Sequence, residues 1–308
     1  MRPRDRELAG ELNASFRDYA AKKRPLPGIA DEIPSSVLVE QILESIHRIK
    51  FVQVMSHRDV SERRADPNDE LFDPLKSAIL HQRRGEIEEA YWLVFLFVHF
   101  GKNPKGGWRF AREVYGRLGE GERWDWANTI ADPAGFRVWL QDHQAQLKRP
   151  GVPGGFGNHR KYESLNGDAP TGTGAAVESY VAWVNPPRSH QDLVRQALED
   201  AHGDPKDGFE RLYQSMEAVT RFGRTARFDY LTMLGKLGLA AIEPGSTYMQ
   251  GATGPVKGAT RLFGVGTISE LDEWLVELDV VLKVGMQVLE DALCNWQKSP
   301  EEFIPFRG

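Results

Sequence analysis

The sequence has few of the residues on which several common functional sites depend. Its one cysteine, Cys294, excludes an intramolecular disulfide and a zinc knuckle. Its eight histidines are scattered, and no His-x-x-x-His pair is accompanied by an acidic residue, so we predict no metal site. Neither a Gly-x-x-x-x-Gly-Lys-Ser/Thr phosphate loop nor a Gly-x-Ser-x-Gly nucleophile turn occurs. The patterns of P-loop nucleotide-binding proteins and of α/β-hydrolases are therefore missing.

Long apolar runs and an excess of positive charge are missing as well. The longest apolar run, 90–98, is far shorter than the roughly 20 residues that cross a bilayer. The chain begins Met1-Arg-Pro-Arg with no apolar stretch behind it, so we expect no signal peptide, no membrane contact and a cytoplasmic location. The net charge of −5 excludes a globally basic surface. Binding to a polyanion would therefore depend on local clusters of Lys and Arg.

The sequence does contain helical periodicity. Apolar residues recur at helical spacing over 36–55 and predict a helix with Ser35 or Ser36 as its cap. Residues 86–100 are acidic at the start and apolar throughout the second half, which predicts a helix buried at the centre of a domain. Alternation with period two is absent over any useful length, so the predicted fold is all-α. Further helices are predicted over 74–84, 108–118, 133–147, 175–183, 191–202, 207–222, 225–239 and 269–296.

Two glycine-rich segments, 151–174 and 244–266, interrupt this pattern and are predicted to be loops. Residues 1–34 are polar and punctuated by proline, and we interpret them as an irregular N-terminal lead-in that contains a short helix. Residues 35–308 then form the helical domain. The 151–174 loop either divides this domain into two lobes or lies across one continuous domain.

The first candidate site is the segment 148–162. Lys148, Arg149, Arg160 and Lys161 are basic, and no residue from 143 through 162 is acidic. Glycines allow backbone N–H groups to approach an anion closely, and the flanking cations add positive charge. The segment therefore predicts a loop that contacts phosphate, and the alternative is a flexible loop between lobes.

The second candidate site is the segment 221–230. Arg221, Arg224 and Arg227 recur at steps of three and would form a stripe along one side of a helix, which ends beside Asp229 and Tyr230. Arginine can bind phosphate with two hydrogen bonds, and Asp229 could orient water or stabilise positive charge on a sugar. The alternative is a network of ion pairs within the helix on a solvated face.

The third candidate site is the acid-free segment 244–268. Its run Gly254-Pro-Val-Lys257-Gly258 is loosely similar to the glycine turn of a helix-hairpin-helix element, which directs backbone N–H groups at a DNA phosphate. Arg261 follows in the same segment. Segments 148–162, 221–230 and 244–268 together contain nine Lys and Arg residues and one carboxylate, Asp229. If they converge in space, they form a basic groove.

Near the C-terminus, Glu290 and Cys294 are four residues apart and share a helix face. A lone cysteine in an apolar helix is usually a small core residue rather than a nucleophile. Glu290 is therefore the stronger candidate for chemistry.

Six motifs occur in an order that matches one known family: Phe72-Asp-Pro-Leu-Lys76, Glu89-Ala-Tyr-Trp-Leu-Val-Phe-Leu96, Phe100-Gly101, Gly154-Gly-Phe-Gly-Asn-His159-Arg-Lys-Tyr162, Gly254-Pro-Val-Lys-Gly258 and Glu290-x-x-Leu-Cys294. Over roughly residues 40–300 the sequence resembles the α-glutamyl/putrescinyl thymine pyrophosphorylase-like family. The resemblance implies a relation to the all-α helix-hairpin-helix DNA glycosylases. Some members attach amino-acid groups to modified pyrimidines in phage DNA, and bacterial relatives include glycosylases that excise bulky modified bases.

The resemblance implies a DNA glycosylase that excises a hypermodified pyrimidine, for example a glycosylated hydroxymethyl base, from double-stranded phage DNA in anti-phage defence. The base would be flipped out of the duplex into a pocket, and an abasic site would remain. No cofactor is expected. The usual Leu-Pro-Gly-Val-Gly hairpin is not intact, so the catalytic carboxylate is assigned, in order of preference, to Asp229, Glu290 or Asp272, the last by counting on from Gly254.

The remaining site residues have two expected roles. The flipped base would be recognised by Asn158, His159, Tyr162 and Tyr230. The DNA backbone would be bound by Lys148, Arg149, Arg160, Lys161, Arg221, Arg224, Gly254, Lys257 and Arg261. Two alternatives remain: an enzyme that transfers an amino acid to a modified thymine in DNA, and a DNA-binding protein without catalytic activity.

Overall fold

A computed structural model describes residues 3–306 of the chain. Helices account for 64% of the residues, and no β-strand occurs within the described range. The α-helices, in chain order, are α1 (Arg6–Lys22), α2 (Glu32–Met55), α3 (Pro74–Arg83), α4 (Ile87–Phe100), α5 (Arg109–Tyr115), α6 (Trp126–Ala131), α7 (Pro133–Asp142), α8 (Gln144–Leu147), α9 (Thr173–Val184), α10 (His190–Asp200), α11 (Pro205–Ser215), α12 (Arg224–Leu237), α13 (Gly254–Phe263), α14 (Ile268–Leu282) and α15 (Met286–Trp296). The all-α prediction is confirmed.

The chain divides into two compact units. The first unit consists of residues 3–54 and 244–306, and the second unit is Met55–Glu243. Residues 151–174 lie inside the second unit. No helix among residues 3–306 combines the length and the apolar character that crossing a membrane requires.

The first unit is built from α1, α2 and α13–α15. Leu12, Phe16 and Tyr19 of α1 are at most 3% exposed and pack in one core with apolar residues of α2 and α13–α15. The fully buried Trp296 of α15 donates its indole N–H to the carbonyl oxygen of Pro34 at 3.1 Å. The N-terminal segment therefore contributes a helix of 17 residues to this core, more than the short helix expected there.

The second unit is built around α4. Every residue from Ala90 to Leu96 is at most 1% exposed, which confirms the expectation of a helix buried on all sides. Aromatic rings pack along it: Phe95 stacks on Phe222 with centroids 4.8 Å apart and on Tyr180 at 4.0 Å. Such large buried surfaces dominate the energetics of a core. α4 thus holds the framework on which the surface loops of this unit rest.

Several helix boundaries differ from the expected ones. The helix expected over 133–147 is two helices, α7 and α8, and α11 ends at Ser215 instead of continuing to 222. α2 begins at Glu32, one turn before the expected Ser35 or Ser36 cap. α13 lies inside the segment expected to be a second glycine-rich loop. The expected helix over 269–296 is two helices, because Lys283 adopts a left-handed conformation with φ of 54° and the Asp279 carboxylate accepts hydrogen bonds from two of the following backbone N–H groups.

Candidate functional site

Two of the three acid-poor segments, 148–162 and 221–230, meet on the second unit. Arg160 donates to the carbonyl oxygen of Arg221 at 3.1 Å, and Arg221 donates in return to the carbonyl oxygen of Tyr162 at 3.3 Å. Arg221 also pairs with Glu163, at 2.9 Å from Nε to Oε2. Residues 158–163, which we call the Tyr162 turn, are therefore joined to the segment that leads into α12. The third segment, 244–268, belongs to the first unit.

Arg160 anchors this turn from within the protein. It is 8% exposed, donates from Nε to the carbonyl oxygen of His99 at 3.2 Å, and lies 3.6 Å from Glu163. Burial lowers the pKa of Arg160, while the negative charges of Glu163 and Asp229 raise it. Two backbone carbonyl oxygens already accept hydrogen bonds from this guanidinium, so few of its N–H groups remain to bind a phosphate. Arg160 is therefore placed to hold the turn, and its predicted role in binding the DNA backbone stays a prediction.

Carboxylates outside the two segments also neutralise part of their positive charge. At least four of the seven cations form ion pairs: Arg149 with Glu113, Arg160 and Arg221 with Glu163, and Arg227 with Glu217. Arg149 binds Glu113 through both terminal nitrogens, at 2.7 and 3.0 Å, which is the strong bidentate geometry. The predicted excess of positive charge is therefore much smaller in the folded chain than in the sequence count.

The other cations of the two segments have different surroundings. Lys148 donates to the side chain of Gln144, and Lys161 lies with Nζ 4.9 Å from the centre of the Tyr162 ring. Arg224 is the first residue of α12 and lies over the ring of Phe228 at 4.8 Å. Arg221 precedes the helix, with a φ of 65°, so the expected stripe of arginines along one helix side does not form.

Close packing requires glycine at two positions of the 151–162 loop, 154 and 157. A Cβ on Gly157 would lie 2.8 Å from the carbonyl carbon of Gly101, and a Cβ on Gly154 would overlap the guanidinium of Arg109. The N–H of Gly157 donates to the carbonyl oxygen of Phe100 at 2.8 Å. This loop therefore lies tightly against the chain that follows α4, and the Gly157 N–H is not available to an anion.

The residues expected to recognise a base have very different exposures. Tyr230 is completely buried, and its hydroxyl lies 2.8 Å from that of Tyr180. The hydroxyl of Tyr180 lies 2.7 Å from Nε2 of His190, whose Nδ1 lies 2.7 Å from Glu88. Tyr230 thus belongs to a hydrogen-bonded chain in the core and presents no surface to a base.

The other three expected base-recognition residues lie on the Tyr162 turn. Asn158 and His159 are exposed and begin a short 3₁₀ helix, Asn158–Arg160. Tyr162 is 80% exposed. The hydrogen bonds of the buried Arg160 hold the backbone of the turn in place, so all three side chains project from one ordered segment.

A buried histidine that the sequence reasoning did not identify lies beneath this turn. His99 is 0% exposed, and its Nε2 lies 2.9 Å from the hydroxyl of Thr173, which itself donates to the carbonyl oxygen of Ser164. Burial lowers the pKa of His99 well below its usual value, and the charges of Arg160 and Arg221 lower it further. The ring is therefore neutral. The only sequence signal that it is buried is its position between the apolar run 90–98 and Phe100.

The three candidate carboxylates also differ. Asp229 is exposed on α12, in the same unit as the Tyr162 turn, and its charge acts on Arg160. Asp272 accepts hydrogen bonds from the backbone N–H and the hydroxyl of Thr247, at 2.8 and 2.5 Å, and from the N–H of Met249 at 3.2 Å. Its carboxylate therefore holds the loop before α13 in place. Glu290 is partly exposed on α15 in the first unit.

In the first unit, the Gly254-to-Gly258 motif lies against α15. A Cβ on Gly254 would lie 2.5 Å from Sγ of Cys294, and a Cβ on Gly258 would overlap the carbonyl oxygen of Leu293. Two of the motifs on which the family resemblance rests are thus the two sides of one close helix contact. Gly254 is also the first residue of α13.

The remaining cations of the third segment, Lys257 and Arg261, are exposed on α13. The guanidinium of Arg261 lies 5.8 Å from the centre of the Trp296 ring. These two side chains present positive charge on the surface of the first unit.

The second unit also has an open surface cleft of about 420 Å³. Tyr91, Val194, Leu198 and Leu239 supply apolar lining, and Arg195 and Glu199 supply charge. None of the site residues predicted from the sequence lines this cleft. It therefore does not correspond to the predicted base pocket.

Comparison with known proteins gives one family. Neither a curated protein nor a solved structure gives a significant match to the chain. The model of the alpha-glutamyl/putrescinyl thymine pyrophosphorylase clade 3 family matches residues 34–308, nearly the whole chain. The chain therefore belongs to this family of enzymes related to thymine modification.

Proposed function

We propose that the protein is a DNA glycosylase that excises a hypermodified pyrimidine, such as a glycosylated hydroxymethyl base, from phage DNA. The observation that carries the proposal is the meeting of the Tyr162 turn with the segment that leads into α12, on the unit that also presents Asp229. In a glycosylase this exposed turn would contact the DNA from which the nucleotide is flipped, and Asp229, whose charge acts on Arg160 beneath the turn, would face the sugar. Membership in a family related to thymine modification supports a pyrimidine as the target.

In the proposed reaction the bond from C1′ of the sugar to N1 of the base breaks, and its electron pair leaves with the base. The sugar develops positive charge, which the carboxylate of Asp229 stabilises at close range. Water then forms a bond to C1′ while Asp229 accepts its proton, and a proton passes to the departing base. The products are an abasic site and the free modified base.

Asp229 is the carboxylate best suited to this role. Asp272 already accepts three hydrogen bonds that hold its own loop, so using it in catalysis would disturb the loop. Asp229 shares a unit with His159 and Tyr162, and its charge acts on Arg160 beneath them. We accordingly keep Asp229 as the first choice and Glu290 as the second.

The DNA backbone would be held by the exposed cations. On the second unit, Lys161 of the Tyr162 turn presents charge that could neutralise a phosphate. On the first unit, Lys257 and Arg261 of α13 present positive charge of the same kind. In this proposal Arg160 supports the turn from within the protein and the exposed cations contact the DNA. We therefore expect individual lysine substitutions to weaken binding and reduce its dependence on salt, each by about one phosphate contact.

A second candidate function is supported by the family description itself, which names glutamyl and putrescinyl derivatives of thymine. In that case the enzyme would join an amino acid or a polyamine to a modified thymine and would leave the glycosidic bond intact. The two functions differ in their products, so a chemical assay separates them.

The proposal is tested by incubating the full-length protein with phage DNA that carries glycosylated hydroxymethyl-pyrimidines and counting abasic sites with an aldehyde-reactive probe. We expect abasic sites with the wild-type protein and a loss of about 10²–10³-fold in rate with Asp229→Asn. Asp168→Asn, an exposed aspartate on the same unit, is the matched control and should retain the rate.

Two other outcomes have distinct meanings. If Glu290→Gln removes activity and Asp229→Asn retains it, the function stands and the assignment of the carboxylate is wrong. If the wild-type protein produces no abasic sites in any of these DNAs, the glycosylase proposal is wrong.

A further inference from the structure

Tyr162 is the most exposed large hydrophobic side chain among residues 3–306. It is 80% exposed, followed by Val265 at 70% and Val280 at 69%. An aromatic ring of this size is usually packed or hydrogen-bonded, because its apolar faces gain free energy when they leave water. The exposure of Tyr162 therefore marks a surface suited to a partner with a flat apolar face.

The backbone beneath Tyr162 is held firmly. The carbonyl oxygen of Tyr162 accepts a hydrogen bond from Arg221 at 3.3 Å, and the next N–H, that of Glu163, donates to the carbonyl oxygen of Arg160 at 2.9 Å. Arg160 is in turn anchored to the end of α4 through the carbonyl of His99. A ring on so well-fixed a turn loses little conformational freedom when it binds.

A cation accompanies the ring. Nζ of Lys161 lies 4.9 Å from the centre of the Tyr162 ring, and both side chains are exposed. Aromatic rings that stack on bases, next to cations that bind phosphate, are the combination with which proteins hold unstacked nucleic acid. A Lys–Tyr pair of this kind fits the edge of a DNA strand better than it fits an apolar protein surface.

The exposure of the Tyr162 ring also argues against a role inside a base pocket. A pocket covers both faces and the edge of a base, whereas a ring that is 80% exposed has almost no neighbouring walls. A protruding ring is instead suited to enter a gap between bases.

We propose that Tyr162 is a wedge that inserts into the DNA base stack and occupies the space left by the flipped pyrimidine, while Lys161 binds an adjacent phosphate. This inference rests on the proposed function, since a glycosylase must hold the duplex open while its target base is outside the stack. It assigns Tyr162 to the DNA duplex rather than to the excised base.

The experiment uses two short duplexes, one intact and one with a single tetrahydrofuran abasic analogue next to 2-aminopurine, whose fluorescence falls when it stacks. We expect the wild-type protein and Tyr162→Phe to bind the abasic duplex more tightly than the intact one and to lower the fluorescence. Tyr162→Ala should lose about 5- to 100-fold in affinity for the abasic duplex, the value of one base–aromatic stack, and should leave the fluorescence high.

Two control variants separate stacking from other effects. Val138→Ala removes another exposed apolar side chain of the second unit, which is 58% exposed, and should change neither affinity nor fluorescence. Lys161→Ala should reduce the salt dependence of binding by about one phosphate and keep the fluorescence change.

The outcomes distinguish this inference from the proposed function. If the wild-type protein binds DNA and Tyr162→Ala matches it in affinity and fluorescence, the wedge is wrong and the glycosylase proposal is unaffected. If Tyr162→Ala abolishes excision of the modified base from single-stranded DNA as completely as from duplex, Tyr162 contacts the target base, and the wedge is again wrong. If the wild-type protein binds neither duplex but forms abasic sites in the modified phage DNA, the wedge is wrong and the glycosylase proposal stands. If it also forms no abasic sites in that DNA, both proposals are wrong.

Discussion

Replacing Arg160 with alanine should destabilise the second unit. The effect on DNA binding should not be the only one. The guanidinium is 8% exposed and donates to the carbonyl oxygens of His99 and Arg221. Each of these hydrogen bonds comes from a charged donor and contributes about 1.5–3 kcal/mol. The Glu163 carboxylate still has Arg221 as an ion-pair partner in the variant, so its charge is not left unpaired. We therefore expect Arg160→Ala to lower the free energy of unfolding by about 3–5 kcal/mol.

The measurement is thermal and urea unfolding of the full-length protein. The second unit contains roughly 190 residues, for which each kcal/mol moves Tm by about 2–4 °C, so Tm should fall by roughly 6–20 °C. Lys161→Ala is the matched control: it removes the same charge from the next residue, which is exposed, and should change the free energy by at most about 0.5 kcal/mol. An Arg160→Ala protein that keeps the wild-type Tm and loses DNA binding would refute the anchoring role.

Two further predictions concern packing and pH. Gly258→Ala should destabilise the first unit by about 1–3 kcal/mol in urea unfolding, because the new Cβ would lie 2.8 Å from the carbonyl carbon of Leu293. Gly10→Ala in α1, where a Cβ meets nothing within 4 Å, is the control and should be neutral or stabilising. Equal effects of the two changes would contradict the helix contact. Burial raises the pKa of Glu89 from 4.5 to about 7, so its protonated form is favoured in the folded protein. The higher pKa stabilises the folded state by at most about 3 kcal/mol. This contribution is fully present below pH 4.5 and is lost as the pH rises through about 7. Glu89→Gln should flatten this part of the stability profile, and an unchanged slope would show that Glu89 does not cause it.

Much of the fold could be predicted because its signals are local. The apolar second half of α4 has no polar face, so a buried central position is the only favourable one. The break between α14 and α15 was less accessible, since apolar residues continue at helical spacing on both sides of it. α14 ends where the Asp279 carboxylate accepts hydrogen bonds from the backbone N–H groups of Val284 and Gly285. The periodicity of apolar residues gives no sign of these bonds.

The glycines show why a motif was easier to find than to interpret. Glycine allows a backbone to approach an anion and equally allows two chain segments to touch, so composition alone predicts both. The neighbours of Gly154 and Gly157 are Arg109 and Gly101, some fifty residues earlier. Only the folded chain brings them together and shows that these glycines serve packing.

The cations show the same limit for charge. Arg160 and Lys161 are adjacent and carry the same charge, yet one is buried under the turn and the other is exposed. Glu113, Glu163 and Glu217 lie outside the counted segments and neutralise arginines within them. A local charge count overestimates positive potential when its counterions lie elsewhere in the chain.

The most direct test of the central claim is a mass balance on modified DNA. Phage DNA with glycosylated hydroxymethyl-pyrimidines is incubated with the protein, and the free bases and the enzymatically digested nucleosides are both quantified by mass spectrometry. The glycosylase account predicts free modified base in an amount equal to the abasic sites formed and to the modified nucleoside lost. Modified nucleosides that survive intact, or that gain the mass of an amino acid or a polyamine while no base is released, would contradict it.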